Sequence, residues 1–384
     1  MPLKPEAEEK VKAYENRKPL SLKTVLNDKI FLLGLIQIII WTIIMVLIMN
    51  ITFDICDMNE MVYEANLNLL HGINPYGKDY SIQIFDYIYP HDYFPYGPLL
   101  LIIYIPASLL PPELASLGTM DFMPTFYITN MFFVFLMYVN FRRHQDHSFA
   151  FSWWFAMGPI WVLVSIGSFL PLPLLLIQMG YYNMKNYNSL VYFGIGTLVY
   201  QYVLMFFIFA IIYHLEFKWE KIKKLLIYIL PLLIPVGVFI IWDIFEGQFF
   251  NFLGDSFIGN FLFGQLTREY VDWNSQWARG MPWLFLYSIP AIVYNLTGGI
   301  AGGLEIGFYT TVIAVIIIGG LGIYFLIKKG NDNLYTFPIF ALIAMLVTNV
   351  TGMGHYYLLI IIPMMMVFRH RYEIFSVFKL EEKK

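Results

Sequence analysis

The sequence predicts an all-α fold, a polytopic bundle of transmembrane helices, on three observations. Hydrophobic residues make up 59% of the chain and charged residues only 13%. Mean hydropathy is +0.62. Apolar stretches recur from Ile30 to Phe368 with polar or basic breaks between them. A soluble domain needs more charge than this to cover its surface. Net charge is -3 without a strongly basic balance, which points away from nucleic acid. Cys56 is the single cysteine, so the loops must hold their shape without an intrachain disulfide.

Taken in order, residues 1–29 form a tail carrying Lys4, Lys10, Lys12, Arg17, Lys18, Lys23 and Lys29, which the positive-inside rule keeps in the cytoplasm. Ile30 to Met49 is uncharged and, at ~20 residues, long enough to cross a hydrocarbon core; it lacks a following cleavage site and reads as a retained first span. Residues 54–121 then form a first outer loop. Met123 to Phe141 spans inward to Arg142-Arg143, Phe149 to Ser165 returns, Ile166 to Ser168 turns, and Phe169 to Tyr181 leads to Lys185. Between Lys185 and the Lys218 to Lys224 cluster the chain must leave and come back, so Leu190 to Leu215 reads as two short helices turning near Gln201. Leu225 to Trp242 reaches a second outer loop, 243–305, and Ile306 to Ile327, Tyr335 to Val350 and Tyr356 to Phe368 complete the spans before a cytoplasmic tail, 369–384.

Leu99 to Leu110 and Trp283 to Ala301 would break the parity if they spanned, and both carry Pro or Gly; they read as interfacial or re-entrant outer helices. The total is about ten crossings, within a range of about 9–12, in one membrane domain over 30–368. No repeat and no inverted pair of interrupted spans is visible.

The segment from Asp54 to Pro98 holds Asp54, Asp57, Glu60, Glu64, Asp79, Asp86 and Asp92 against one base, Lys78. Its run Asp57 to Tyr76, with Tyr63, Leu69-Leu70, Gly72 and Asn74-Pro75-Tyr76, followed by Tyr93 to Pro98, resembles the first outer loop of membrane glycosyltransferases of the GT-C superfamily. Val164 to Pro171 is similar to that family's post-span turn, Gly194 to Gln201 to its short helix pair, and His355-Tyr356-Tyr357 with Pro363 to the His-Tyr opening of a late span. The branch it resembles most is the polyprenyl-phosphate-mannose-dependent mannosyltransferases. The resemblance implies transfer of a hexose, mannose in that branch, from a polyprenyl-phosphate sugar to a lipid, glycan or protein acceptor at the extracytoplasmic face of the cell membrane. It also implies no metal and no cofactor besides the lipid-linked donor. Two departures stand out: Tyr200-Gln201-Tyr202 lies where related enzymes often carry Lys, and Phe94-Pro95-Tyr96-Gly97-Pro98 replaces Tyr-Pro-Pro.

An inverting transfer of this kind needs one general base for the acceptor hydroxyl. The acid aligns on Asp57 or on Asp54. Asp57 lies just past the first span, where low dielectric raises a carboxyl's proton affinity, but it also fits an N-cap of a helix from Met58 to Leu70, with Glu60 at capping-box spacing. His355, in a Gly-rich turn, is a candidate phosphate contact or proton relay, or a hydrogen-bonded interfacial residue. Arg268, Arg279 and Gln201 are the candidates for donor-phosphate binding, since guanidinium suits bidentate phosphate contact; Glu269 and Asp272 are alternative partners for the arginines. Glu60, Tyr63, Tyr76, Tyr96, Trp273 and Trp277 are the candidates for a sugar and acceptor cleft, with an interfacial aromatic belt as the plainer reading. No His-x-x-x-His or Cys cluster suggests a metal, and no Gly-x-Ser-x-Gly or Walker loop is present. The other class of function is a transporter or flippase, which would place several ionisable residues near mid-membrane; these spans are nearly free of charge there.

Overall fold

The computed structural model describes residues 20–250 apart from 27–28, 53–56, 79, 85–86, 92–93, 95, 111–122 and 145–156, together with 256–261 and positions 313, 316, 317, 319 and 320. The order of elements is α1 (Leu22–Leu26), α2 (Lys29–Thr52), α3 (Asp57–Leu70), β1 (Tyr80–Ile84), β2 (Tyr87–His91), α4 (Pro98–Ser108), α5 (Pro124–Arg143), α6 (Gly158–Gly167), α7 (Pro171–Tyr182), α8 (Asn188–Val199), α9 (Leu204–His214), α10 (Trp219–Ile229) and α11 (Leu233–Phe245).

The architecture is helical, as the composition requires, with one difference from an all-α reading. Residues 80–91 form a two-stranded antiparallel hairpin in which Tyr80 pairs with His91 and Ile84 with Tyr87. Its Tyr and Ile content suits a pleated pair, a local signal that the acidic residues around it obscure. Among the described residues two helices are long and apolar enough to cross a membrane, Pro124–Arg143 with 20 residues and Trp219–Phe245 with 27. The count becomes three if α6 and α7, bent by 119° at their junction, form one broken span. The expected spans 335–350 and 356–368, and the expected outer helix 283–301, lie outside the described residues; of 306–327 only five positions are described, all helical.

Local chemistry accounts for the element boundaries. α3 ends in a Schellman cap: the Ile73 N–H donates to the Asn68 carbonyl at 2.9 Å and the Gly72 N–H to Leu69 at 3.1 Å, with Gly72 at φ 72°. Pro98, Pro124 and Pro171 each open a helix, where the missing N–H costs nothing. Arg142 and Arg143 close α5, opposite in sign to the helix C-terminal dipole. The paired helices expected over Leu190 to Leu215 are α8 and α9, broken at Tyr200 (φ -149°, extended) and a short turn over Gln201–Val203. Pro231 interrupts the helix that starts at Trp219 with a single 3-10 turn before α11.

The bundle has two ends. At one, the Leu20 N–H donates to the Arg143 carbonyl at 2.9 Å, His144 stacks on Tyr182 at 3.8 Å, Ser189 Oγ meets His214 Nε2 at 3.0 Å, and Lys224 lies over the Tyr187 ring at 4.6 Å. Every basic cluster among the described residues except Lys78 belongs to this end or to the tail before α2. The other end gathers α3, α4, the α6–α7 bend, the α8–α9 turn and the end of α11. The side of α2 bearing Leu33, Ile36, Ile40 and Ile43, and the side of α10–α11 bearing Ile227, Ile234, Val238 and Ile241, expose apolar chains over whole helix lengths, a surface suited to lipid.

Candidate functional site

At the end away from the basic clusters, the 119° bend between α6 and α7 leaves backbone carbonyls without helical partners, because the chain turns where the next turn's N–H groups would stand. Two asparagines take those carbonyls. Asn59, in the first turn of α3, donates from Nδ2 to Ile166 O at 2.6 Å. Asn130, midway along α5, donates to Ser165 O at 3.0 Å and to Ser168 O at 2.8 Å. The Tyr104 hydroxyl of α4 donates to Asn130 Oδ1. Ser108 donates to Tyr104 O at 3.1 Å and accepts from Asn66 Nδ2 of α3 at 2.9 Å. These side chains are buried, and the network that joins them ties α3, α4 and α5 to one bend.

An aromatic cluster lies beside it. Tyr96 packs edge-on against Phe169 at 4.6 Å and against Phe94 at 5.3 Å, and tilts against Tyr200 at 6.2 Å. Tyr76 packs against Phe94, Phe239 and Phe257 at 5.6, 5.1 and 4.8 Å, and its hydroxyl donates to Tyr96 O at 2.8 Å. Burial first, then the nearby Tyr80 ring and Asp243 carboxylate, push the Tyr76 phenol far above its ordinary range, so it acts as a neutral donor. Burial also raises the carboxyl of Glu64 on α3. Backbone joins the loops too: Gly97 N–H donates to Val199 O at 3.1 Å, which docks the entry of α4 on the end of α8.

The third component is the end of α11. Asp243 accepts from Asn74 Nδ2 at 3.0 Å and from the Phe257 N–H at 2.7 Å. Glu246 accepts from the same Asn74 amide at 2.9 Å and from the Trp242 indole at 2.9 Å.

Of the residues singled out in the sequence, Asp57 supplies the first residue of α3, one turn or less from the Asn59 anchor. Glu60 is half-buried on the same helix. Tyr63, Tyr76 and Tyr96 are buried, with Tyr76 at 0% exposure, and their rings pack against protein rather than facing an opening. Gln201 is half-buried at the α8–α9 turn, beside the fully buried Tyr200. Asp54, Arg268, Arg279, Trp273, Trp277 and His355 lie outside the described residues. The sequence reading did not single out Asn59, Asn130 or Asp243, and Asn74 entered it only as part of the Asn74-Pro75-Tyr76 turn. Asp243 carries a usable signal, being the sole acid between Glu220 and Glu246 in an apolar stretch. The asparagines carry none, because their partners are carbonyls and carboxylates far along the chain.

Among the described residues no group of three His, Cys, Asp or Glu side chains is placed to hold a metal ion. What the arrangement offers is a buried polar network at one end of a helical bundle, with the start of α3 anchored to it. Comparison with family models, curated proteins and solved structures finds no match for this chain.

Proposed function

We propose that this chain is a multi-pass membrane glycosyltransferase resembling the GT-C superfamily, with both termini in the cytoplasm and its acidic end outside. It moves a hexose, mannose in the branch it resembles, from a polyprenyl-phosphate donor to a lipid, glycan or protein acceptor. The acceptor hydroxyl attacks the anomeric carbon as the bond to the phosphate oxygen breaks. The hydroxyl proton passes to a carboxylate, Asp57 or its near neighbour Asp54, and polyprenyl phosphate leaves with the bonding pair. Arg268, Arg279 and Gln201 are proposed to neutralise that phosphate, with His355 as a further donor or proton relay.

The observation that carries this reading is the meeting, at one end of the bundle, of every quoted loop element that is described: the start of α3, the Asn74–Tyr76 turn, the Tyr96–Pro98 turn, the α6–α7 bend and the Gln201 turn. An early-chain acidic segment is thereby held rigidly against mid-chain turns, as a site with one general base requires. Among the described residues, its opposite end carries the basic clusters.

The test is to incubate membranes containing the protein with labelled polyprenyl-phosphate mannose and native lipid extract, then identify the labelled product. Asp57→Asn is expected to lower transfer about a hundredfold or more, with insertion and expression unchanged. Full transfer by purified Asp57→Asn, together with full transfer by Asp54→Asn, removes the proposed base. Substrate crossing the bilayer unmodified would identify a transporter or flippase instead.

A further inference from the structure

Asp243 sits at the last turn of α11 with no exposed surface. Both of its oxygens are engaged, Oδ1 by Asn74 Nδ2 at 3.0 Å and Oδ2 by the Phe257 N–H at 2.7 Å. Asn74 in turn accepts the Tyr76 N–H on Oδ1 at 3.1 Å and donates a second time, to Glu246 at 2.9 Å. Asn260 closes the ring by donating to the Tyr76 carbonyl. Three stretches are thus fastened around one carboxylate: the Asn74–Gly77 turn, remote in sequence, the end of α11, and residues 256–261 shortly after it.

Burying a carboxylate costs several kcal/mol before its partners are counted, and an apolar or amide side chain would join two segments more cheaply. A carboxylate differs in accepting on both oxygens at once, which an amide cannot do. Here one oxygen serves the Asn74 turn of the first outer loop and the other the Phe257 N–H of the second. The first loop carries the candidate bases and the second the candidate phosphate-binding arginines.

We infer that Asp243 and Asn74 form a positioning pair that docks residues 256–261 of the second outer loop onto the Asn74 turn of the first, and that sugar transfer depends on this docking. This rests on the transferase reading above. α3 is then held at both ends, by Asn59 near its start and, through the Gly72 cap, by the Asn74 turn beyond its finish.

The pair can be reversed. Asn74→Asp sets a third carboxylate against Asp243 and Glu246, and Asp243→Asn sets amide against amide. Made together with Glu246→Gln, which removes the carboxylate that the Asn74 amide also serves at 2.9 Å, the double variant exchanges donor and acceptor across the same contact and still accepts from the Tyr76 and Phe257 N–H groups. Two measurements are made on the full chain in lipid vesicles: kcat and donor KM for polyprenyl-phosphate mannose, and hydrogen exchange at the Tyr76 and Phe257 amides. Each single variant is expected to lose about tenfold or more in kcat/KM with a rise in donor KM, and to lose protection at both amides; the double is expected to recover both to within about threefold.

Single variants with normal kinetics and protection, or a double variant no better than the singles, overturn the pairing. If the unaltered protein transfers no sugar, the transferase reading fails, and recovery of exchange protection by the double variant alone upholds or overturns the docking. If the single variants do not accumulate, Asn74→Ala removes the donor without adding charge and gives the same two readouts.

Discussion

The Asn130 side chain donates to two carbonyls at the α6–α7 bend and accepts from the Tyr104 hydroxyl, all shielded from solvent. Asn130→Ala leaves each of these groups without its partner, and a buried unmatched polar group costs far more than a net hydrogen bond is worth. We expect a loss of about 3 kcal/mol, read as a lower unfolding temperature in detergent. Asn130→Asp should lose more, because a carboxylate would face two carbonyl oxygens with nothing to donate. In sequence, Asn130 is one amide in an apolar helix and looks no different from Asn140. What separates them is position: Asn130 lies opposite the bend, whereas Asn140 faces Gln178 at 3.4 Å. A residue's type is legible locally; the carbonyl it will meet is not.

Between elements, the entry of α4 comes close against the end of α8. A Cβ on Gly97 would lie 2.0 Å from the Leu198 carbonyl oxygen, a collision with backbone that no side-chain rotation relieves. Gly97→Ala is therefore expected to push α4 away from α8 and cost about 2 kcal/mol or more. Exchange of the Gly97-to-Val199 hydrogen bond should speed up with it, and unchanged exchange in the variant would show that α4 docks elsewhere. The break near Gln201 and the α3 helix are legible in the sequence, because charge positions and turn residues mark them, whereas the turn expected at 166–168 falls at 168–170, since α6 continues through Gly167. The hairpin at 80–91 is not legible in the same way, since its acids and tyrosines break the apolar-polar alternation that marks a strand pair. α4 was read as an outer helix, and the structure tucks it against α3, α5, α8 and α11 with Leu100, Leu101 and Tyr104 fully buried.

Over the whole molecule, α5 alone runs ~30 Å at the helical rise, about the thickness of a hydrocarbon core, from its docking with Ala107 to the arginines beside Leu20. Chain direction alternates from there: the α6–α7 bend, the α8–α9 turn and the end of α11 return to one end, and Tyr182, His214 and Lys224 to the other. This alternation predicts a labelling pattern. In a Cys56→Ser background, Lys78→Cys should react with an impermeant maleimide added to intact cells, and Lys185→Cys only after permeabilisation. Both positions lie exposed. Reaction of both from the same side would refute the proposed orientation.

Composition and the spacing of basic residues by themselves determined a helical chain with stretches long and apolar enough to cross a membrane, roughly where the chain turns, and which segment concentrates acids. Those properties follow from transfer free energies summed along the chain, and sequence order is enough to compute them. Only the tertiary structure decided that Asn59 and Asn130 cap the broken helix, that Tyr76 and Tyr96 are packed inward, and that Asp243 binds Asn74 at a separation of 169 residues. Such pairings arise because buried polar groups must find partners within about 3 Å, and packing rather than sequence proximity sets which partners are in reach.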